Sequence, residues 1–219
     1  GNNAAVNTNF DTSYNGNGLT YTLKAASTAD DFKITTRDDL ADGGMGSLYK
    51  EADSISSLPL TCLNGFTLKI IGDADLNQDD YYVKFETADG SSWSNGSWVE
   101  TVSPDSYTSF NTATLPHQLR NTAENEFTFE EIDYNVKTAG DSKSNPEPSF
   151  INNTISNLFF FKNRLGLLSN EHVILSEAGT FYNFFRTTVT TLLDSAPIDV
   201  AVNSKQVTNL KSALGFQEN

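Results

Sequence analysis

The stretch FFFKNRLGLLSNEHVILSEAGTFYNFF, residues 159–185, decides the fold of this 219-residue chain because it holds seven of the 25 Phe, Tyr and Trp residues. Its apolar runs at 159–161, 165–168 and 173–175 are each too short for a helix. Polar residues typical of turns separate these runs. The pattern predicts an antiparallel β-meander with a buried aromatic face.

The rest of the sequence predicts a mainly β protein built from antiparallel sheets and meanders, with one or two short helices. Strands are predicted at 19–25, 31–37, 66–71, 81–87, 97–102 and 197–202, with a further hairpin from Leu119 and 127–132. The dipeptides Asp89-Gly90 and Asn95-Gly96 are typical of hairpin turns. Apolar positions at helical spacing predict a short helix over 48–58 before Pro59, and 187–193 suggests a helical turn.

Composition divides the chain into four predicted segments. Residues 1–18 form a polar leader, and 19–133 an acidic β-rich domain. Residues 134–150 form a Pro/Gly-rich connector that we expect to be exposed, and 151–219 the aromatic meander, an incomplete propeller-like unit. The chain begins with Gly1 and its only methionine is Met45, so we expect it to be a piece of a longer protein.

The charge is strongly acidic and unevenly placed. The net charge is −14, and all of the excess lies in residues 1–158, which hold 23 acidic and nine basic groups. Such a surface repels phosphate, which argues against high-affinity nucleic-acid recognition but suits a passage through which DNA slides without sticking. No apolar run approaches the roughly 18 residues of a membrane span. The single Cys62 excludes an intramolecular disulfide and is interpreted as a small core residue.

One segment has the alternating oxygen ligands of a calcium loop. The candidate ligands are Asp73, Asp75, Asn77 and Asp79, followed by Asp80. The spacing departs from an EF-hand, since Gln78 stands where glycine is required and Lys84 where the closing glutamate belongs. The alternative, a solvated polar loop between two strands, fits this mismatch better. No other cofactor is predicted.

Catalytic patterns are weak throughout the chain. His172, Ser176 and Asp194 could supply a hydrolase triad, but the serine is not flanked by the glycines of a nucleophile elbow. Glu130 and Glu131 could work on a polysaccharide only if a second carboxylate lay across the scissile bond. Neighbouring acids are expected by chance in a chain with 28 of them. The sequence therefore predicts no enzyme.

Two alternatives stay open beside a structural role. One is a polysaccharide hydrolase or depolymerase. The other is a carbohydrate-binding β module that stacks sugars on Trp93, Trp98 and Tyr107, although Trp98 alternates with Val99 in a predicted strand and is better placed in a core.

Six motifs in order carry a family resemblance. They are YYVKFET (81–87), WVETV (98–102), TLPHQL (114–119), AGDSKSNPEPSF (139–150), the FFFKNRLGLLSNEHVILSEAG block and DSAPIDVAV (194–202). Together they resemble the tail tubular protein B, or nozzle, family of short-tailed bacteriophages, over about residues 48–216. The NRLG string and the Pro-Ile-Asp-Val-Ala string are the most specific parts.

The resemblance implies a structural protein of the virion, made in the bacterial host cytoplasm. It implies a ring of six copies below the tail adaptor ring protein, contacts with tail fibres, and a channel through which double-stranded DNA passes without specific binding. It also implies a β fold with a propeller-like portion that begins at the aromatic meander. The motif residues expected to have structural roles are Pro116, His117, Asn163, Arg164, Gly166, Ser176, Gly179, Pro197 and Asp199.

Overall fold

The computed structural model describes residues 9–14, 18–25, 34, 36, 46–72, 80–203 and 209–214. Within them the chain forms strands grouped in four sheets. The strands are β1 Phe10–Tyr14, β2 Leu19–Leu23, β3 Glu51–Ala52, β4 Thr61–Leu63, β5 Thr67–Ile70, β6 Tyr81–Thr87, β7 Trp93–Thr101, β8 His117–Ala123, β9 Glu126–Glu131, β10 Ile155–Phe161, β11 Arg164–Ser169, β12 His172–Leu175 and β13 Ile198–Ala201. The predicted mainly β class is confirmed.

The aromatic stretch forms the predicted meander. Strands β10, β11, β12 and β13 lie side by side in chain order, and each pair is antiparallel. Lys162 and Asn163 have φ values of 45° and 59° between β10 and β11, which gives a two-residue turn whose twist suits a hairpin. Asn170, with φ 51°, lies in the next hairpin turn, between β11 and β12. Turn residues with positive φ therefore set the register of β10, β11 and β12.

One face of this sheet covers the main core. The buried members are Leu115, Ile132, Tyr134, Phe150, Leu165, Leu167, Ile174 and Phe184. Phe110 stacks on Phe185 with ring centroids 4.7 Å apart and meets Phe150 edge-on at 5.8 Å. Burial of this much aromatic surface is the main stabilising contribution in this part of the chain.

The predicted buried aromatic face is incomplete at the first strand, β10. Phe160 is 68% exposed and Leu158 is 51% exposed. Both lie opposite core residues in the register, since Phe160 pairs with Leu165 and Leu158 with Leu167. These two side chains are exposed because β10 is the edge strand of the sheet in the described chain and the core does not extend beneath it.

A second sheet has the order β3-β5-β6-β7-β4, in which β3 pairs with β5 in parallel. The predicted helix over 48–58 is wrong. Residues Glu51–Ala52 pair with 69–70 instead, and only Ile55–Ser57 forms a 3-10 turn, capped by the Ser54 hydroxyl. Pairing with a distant strand outweighs helical spacing in so short a segment.

The Asn95-Gly96 turn is also wrong, because both residues lie inside β7. A Cβ on Gly96 would come 2.1 Å from the Glu86 carbonyl oxygen, so the glycine is required for close approach of two strands. The predicted helical turn over 187–193 is absent as well. There the Val189 amide and the Thr188 hydroxyl bind the Glu100 carboxylate at 2.7 and 2.6 Å.

The segment 134–150 is not an exposed linker, contrary to the prediction. Lys137, Ala139 and Asn145 are at most 3% exposed, and Phe150 is 1% exposed. Asn145 anchors this segment, since its side-chain amide donates to the Ala139 and Arg186 carbonyls at 2.9 Å each.

The hairpin predicted around Leu119 and 127–132 is confirmed as β8 and β9. The chain divides into two compact units, residues 1–70 with 84–99, and residues 71–83 with 100–219. Strand β1 falls within the predicted polar leader. The predicted strand at 31–37 lies outside the described residues except for Ile34 and Thr36. The predicted domain boundaries stay a prediction.

Changing Gly166 to alanine should destabilise the meander. An added Cβ would lie 2.3 Å from the Phe159 ring, which is half-buried above it. We expect a loss of about 1–3 kcal/mol in unfolding free energy from overpacking, measured by urea denaturation. Gly46→Ala is the matched control, since nothing lies within 4 Å of its added Cβ. Equal midpoints for the two variants would contradict this packing.

Candidate functional site

The most connected side chain among the predicted motif residues is Arg164, the first residue of β11. It is 7% exposed, and its guanidinium donates to four main-chain carbonyls. The acceptors are Ser176 at 2.7 Å, Asp194 at 2.8 Å, Ser195 at 3.1 Å and Ala196 at 2.8 Å. A buried cation is costly unless its donors find acceptors, and here neutral carbonyls accept from both terminal nitrogens of the guanidinium.

Three further hydrogen bonds complete what we call the arginine junction. The Ser176 hydroxyl accepts from the Leu165 amide and donates to the Glu177 carbonyl, both at 3.0 Å. The Gly179 amide donates to the Asn163 carbonyl at 2.8 Å, and Gly179 has φ 81°. The positive φ at Gly179 explains the glycine, because L side chains rarely adopt it.

Asp199 joins the last strand to its surroundings. It lies on β13, receives a 2.9 Å hydrogen bond from His172 Nδ1 and accepts from the Ser149 amide at 2.7 Å. Pro197 stands directly before β13 and after the Ala196 carbonyl that Arg164 binds. The structure therefore joins Asn163, Arg164, Ser176 and Gly179 to the chain directly before Pro197, whereas Asp199 joins β13 to His172 and Ser149.

Pro116 and His117 lie at a different place, the start of β8. The Pro116 carbonyl accepts from the Tyr134 hydroxyl at 3.1 Å. His117 Nδ1 lies 2.9 Å from the Leu115 carbonyl, and its ring stacks on Phe129 with centroids 5.2 Å apart. Burial, with a smaller contribution from the nearby Tyr182, raises the pKa of Tyr134 to about 12, so its hydroxyl stays a donor.

Sequence reasoning missed Asn145 and Glu100 as organising residues. Asn145 is 2% exposed and also accepts from the Arg186 amide at 3.0 Å. Asn145 lies in the motif at 139–150, and its pair with Pro146 is typical of a turn, but neither feature reveals a distant partner. Glu100 lies in the motif at 98–102, yet it is one of 28 acids and the motif does not reveal its partners at 188–189.

A turn at 141–144 supports this segment. The Asp141 carboxylate accepts from the Lys143 amide at 2.8 Å, the Ser144 amide at 2.9 Å and the Ser144 hydroxyl at 2.9 Å. Burial alone would raise the pKa of Asp141, but these hydrogen bonds together with the Lys143 charge outweigh it and lower the pKa. The ionised form therefore stabilises the turn.

The triad candidates do not assemble. Ser176 is fully buried with its hydroxyl already bound, and His172 faces Asp199 rather than Asp194. Glu130 and Glu131 are consecutive in β9, so their side chains lie on opposite faces. Glu130 binds Arg120, while Glu131 binds the Thr112 hydroxyl. Glu130 and Glu131 are therefore not placed to flank one scissile bond.

Cys62 is 5% exposed within β4, as expected of a small core residue. Burial raises the pKa of its thiol, which keeps it protonated. A low thiolate fraction makes a poor nucleophile.

The aromatic platform proposed for sugars is not formed. Trp93 and Trp98 are five positions apart in β7, which places them on opposite faces. Trp98 meets Phe85 edge-on at 5.1 Å and donates its Nε1 proton to the Pro59 carbonyl at 2.9 Å. Tyr107 is 81% exposed.

A cavity of about 380 Å³ opens in the second unit. It is lined by Asn111, Thr114, Leu115, Phe150, Ile151, Asn152, Asn153 and Thr154. This lining holds amides, hydroxyls and apolar groups without a carboxylate, histidine or cysteine. It therefore offers no acid-base pair for hydrolysis.

The calcium candidates Asp73, Asp75, Asn77 and Asp79 lie outside the described residues. Asp80 is described, and its carboxylate accepts from the Gly72 amide at 2.9 Å. Across the described part of the chain, no group of three or more His, Cys, Asp or Glu could hold a metal ion. In the same part of the chain, no helix has the length and hydrophobicity to cross a membrane.

These features define a mainly β protein whose gathered motif residues hold strands together. The family model for bacteriophage nozzle proteins matches residues 2–219, and the chain belongs to that family. It is 37% identical over 185 residues to tail tubular protein gp12 of Escherichia phage T7, a match that covers 84% of this chain and 22% of that protein. The chain thus spans about a fifth of that relative's length. It is a structural component of the phage tail and is located in the virion.

Replacing Arg164 should loosen β13. Arg164→Met removes the arginine donor from four carbonyls, of which only Ser195 keeps another, the Ala178 amide, and we expect a loss of at least about 3 kcal/mol in unfolding free energy. For Arg164→Lys we expect a loss in unfolding free energy that is smaller than for Arg164→Met, since an ammonium has three donors but no planar fork. The measurements are urea denaturation and hydrogen exchange of the β13 amides.

The control for Arg164 is Arg120→Met, which removes an ion pair whose arginine side chain is 62% exposed. We expect a change of about 0–1 kcal/mol there. A similar loss for both variants, with unchanged exchange in β13, would show that the junction does not hold the strand.

Lowering the pH should weaken the turn at Asp141. Because its pKa is lower in the folded state, its contribution is fully present above the unfolded value of about 3.9 and is lost as pH falls through the folded value. The urea midpoint of the native chain should therefore exceed that of Asp141→Asn at neutral pH, and the difference should shrink below about pH 4. A constant difference down to pH 2 would contradict this role.

Proposed function

We propose that the chain forms part of the wall of a phage tail nozzle, in which the complete protein assembles as a ring of six around a channel for DNA ejection. The family match over residues 2–219 carries this proposal. Forming the wall of a channel requires a rigid β scaffold rather than a reactive site. The arginine junction suits it because four hydrogen bonds from one buried guanidinium to main chain fix two segments without any exposed reactive group.

The acidic charge supports a channel that does not hold its cargo. Residues 1–158 carry a net charge of −14, and residues 159–219 are balanced. Carboxylates near the path of DNA repel its phosphates, which prevents the tight binding that lysine and arginine contacts produce. We propose that part of the acidic surface of 1–158 lines or approaches this channel.

Further partners follow from the same proposal. The tail adaptor ring protein would contact one end of the ring, and tail fibres its outside. The proposed work is mechanical, so no cofactor is assigned. We also propose that the protein has no enzymatic activity, supported by the separated triad candidates and by a cavity lining without acid-base groups.

Electron microscopy of the complete gene product tests this role. We expect six-fold rings, with or without the adaptor ring protein, and no release of reducing ends from capsule polysaccharide or peptidoglycan. A protein that stays monomeric with its adaptor would contradict the ring. A basic channel, with the carboxylates of 1–158 pointing outward, would contradict the role given to charge. Sugar release that is lost in Glu130→Gln would instead favour the hydrolase.

A further inference from the structure

The hairpin of β8 and β9 has one apolar and one polar face. The register pairs Leu119 with Phe129 and Asn121 with Phe127, so these side chains share a face. Arg120, Thr128 and Glu130 occupy the other face. Leu119, Phe127 and Phe129 are 66%, 60% and 71% exposed. Three large apolar groups on one face of a two-stranded sheet are thus left open to solvent.

Such a hairpin is poorly stable without a cover. Two strands alone are marginal in water, and a hydrophobic face must pack on something to contribute. Phe127 and Phe129 each carry roughly 150–250 Å² of side-chain surface, so together with Leu119 they expose on the order of a few hundred Å². A contiguous apolar patch of that size on a folded protein marks an interaction site.

A second apolar surface lies on β10, which we call the β10 edge. Its members are Leu158, Phe160 and Phe181, of which Phe160 and Phe181 meet edge-on with centroids 5.5 Å apart. Leu158 is 51% exposed and Phe181 is 36% exposed. The hairpin and the β10 edge belong to the same compact unit, and each is exposed within it, so they do not cover one another in one copy.

The two surfaces have complementary charge. The hairpin carries four acids and one arginine, giving it a net charge of −3, with Glu124 and Glu126 at its tip. Residues 155–164 carry no acid and two bases, of which Arg164 is buried and Lys162 exposed. Contact between two hairpins would bring like charges together, whereas contact with the β10 edge pairs glutamates with lysine.

We propose that the apolar face of the β8–β9 hairpin docks on the β10 edge of the next copy of the same protein. Such a contact joins two different surfaces, which is the geometry that closes a ring of more than two subunits. Leu119, Phe127 and Phe129 would be the buried centre, and Lys162 would meet the acidic tip. This inference rests on the proposed ring and names the surfaces that form it.

Photo-crosslinking in the complete gene product tests the contact. The crosslinker p-benzoylphenylalanine replaces Phe129, and the crosslinked peptides are identified by mass spectrometry. Rings are assembled from mixed isotope-labelled and unlabelled protein, so that links between copies are distinguished from links within one. We expect inter-copy links from position 129 to the peptide containing residues 155–162.

The matched control places the crosslinker at Thr128, on the polar face of the same hairpin, where we expect at least tenfold fewer of these links. Lys162→Glu should lower the yield from position 129 severalfold, and Lys162→Arg should keep it. Rings that form with links only within one copy, or only to another protein, overturn the inference and leave the nozzle role intact. The absence of rings overturns both. Equal yields for the two Lys162 variants overturn the docking orientation.

Discussion

The burial of one guanidinium is the constraint on which the four-stranded sheet depends. A charge removed from water costs several kcal/mol unless its donors are satisfied. Arg164 meets that requirement with carbonyls of residues 176 and 194–196, and this places the chain directly before β13. The fourth strand is 22 residues from the third, so local turn chemistry cannot position it. An arginine can, because its fork reaches both segments at once.

Elements that rest on local pattern could be predicted from the sequence. Strand β6 has the predicted bounds, and β11 and β12 follow from short apolar runs between turn residues. Elements that rest on distant partners could not. Gly96 is typical of a turn by composition, yet it serves a close approach to Glu86 across the sheet. The segment 48–58 has helical spacing, yet it pairs with β5.

The junction was predictable only in part. Family resemblance singled out Arg164 and Ser176, but the sequence could not show that the Arg164 guanidinium binds the Ser176 carbonyl. The partners of Arg164 are main-chain carbonyls, which every residue has, so no side-chain pattern marks them. Asn145 illustrates the same limit, since its amide binds the main chain of Ala139 and Arg186. Side chains that bind distant main chain have no signature in a single sequence.

The arginine junction and the exposed β10 edge are joined by a short turn of the chain. The two-residue turn Lys162-Asn163 connects Phe160 and Phe161 to Arg164, so the buried hydrogen bonds hold the exposed edge in a fixed direction. The core beneath the sheet is already filled by Phe150 and Phe184, which meet edge-on at 5.0 Å. The exposed aromatic side chains are therefore additional to that core. An apolar surface that is held rigid loses little conformational entropy on contact, and this favours its use in assembly.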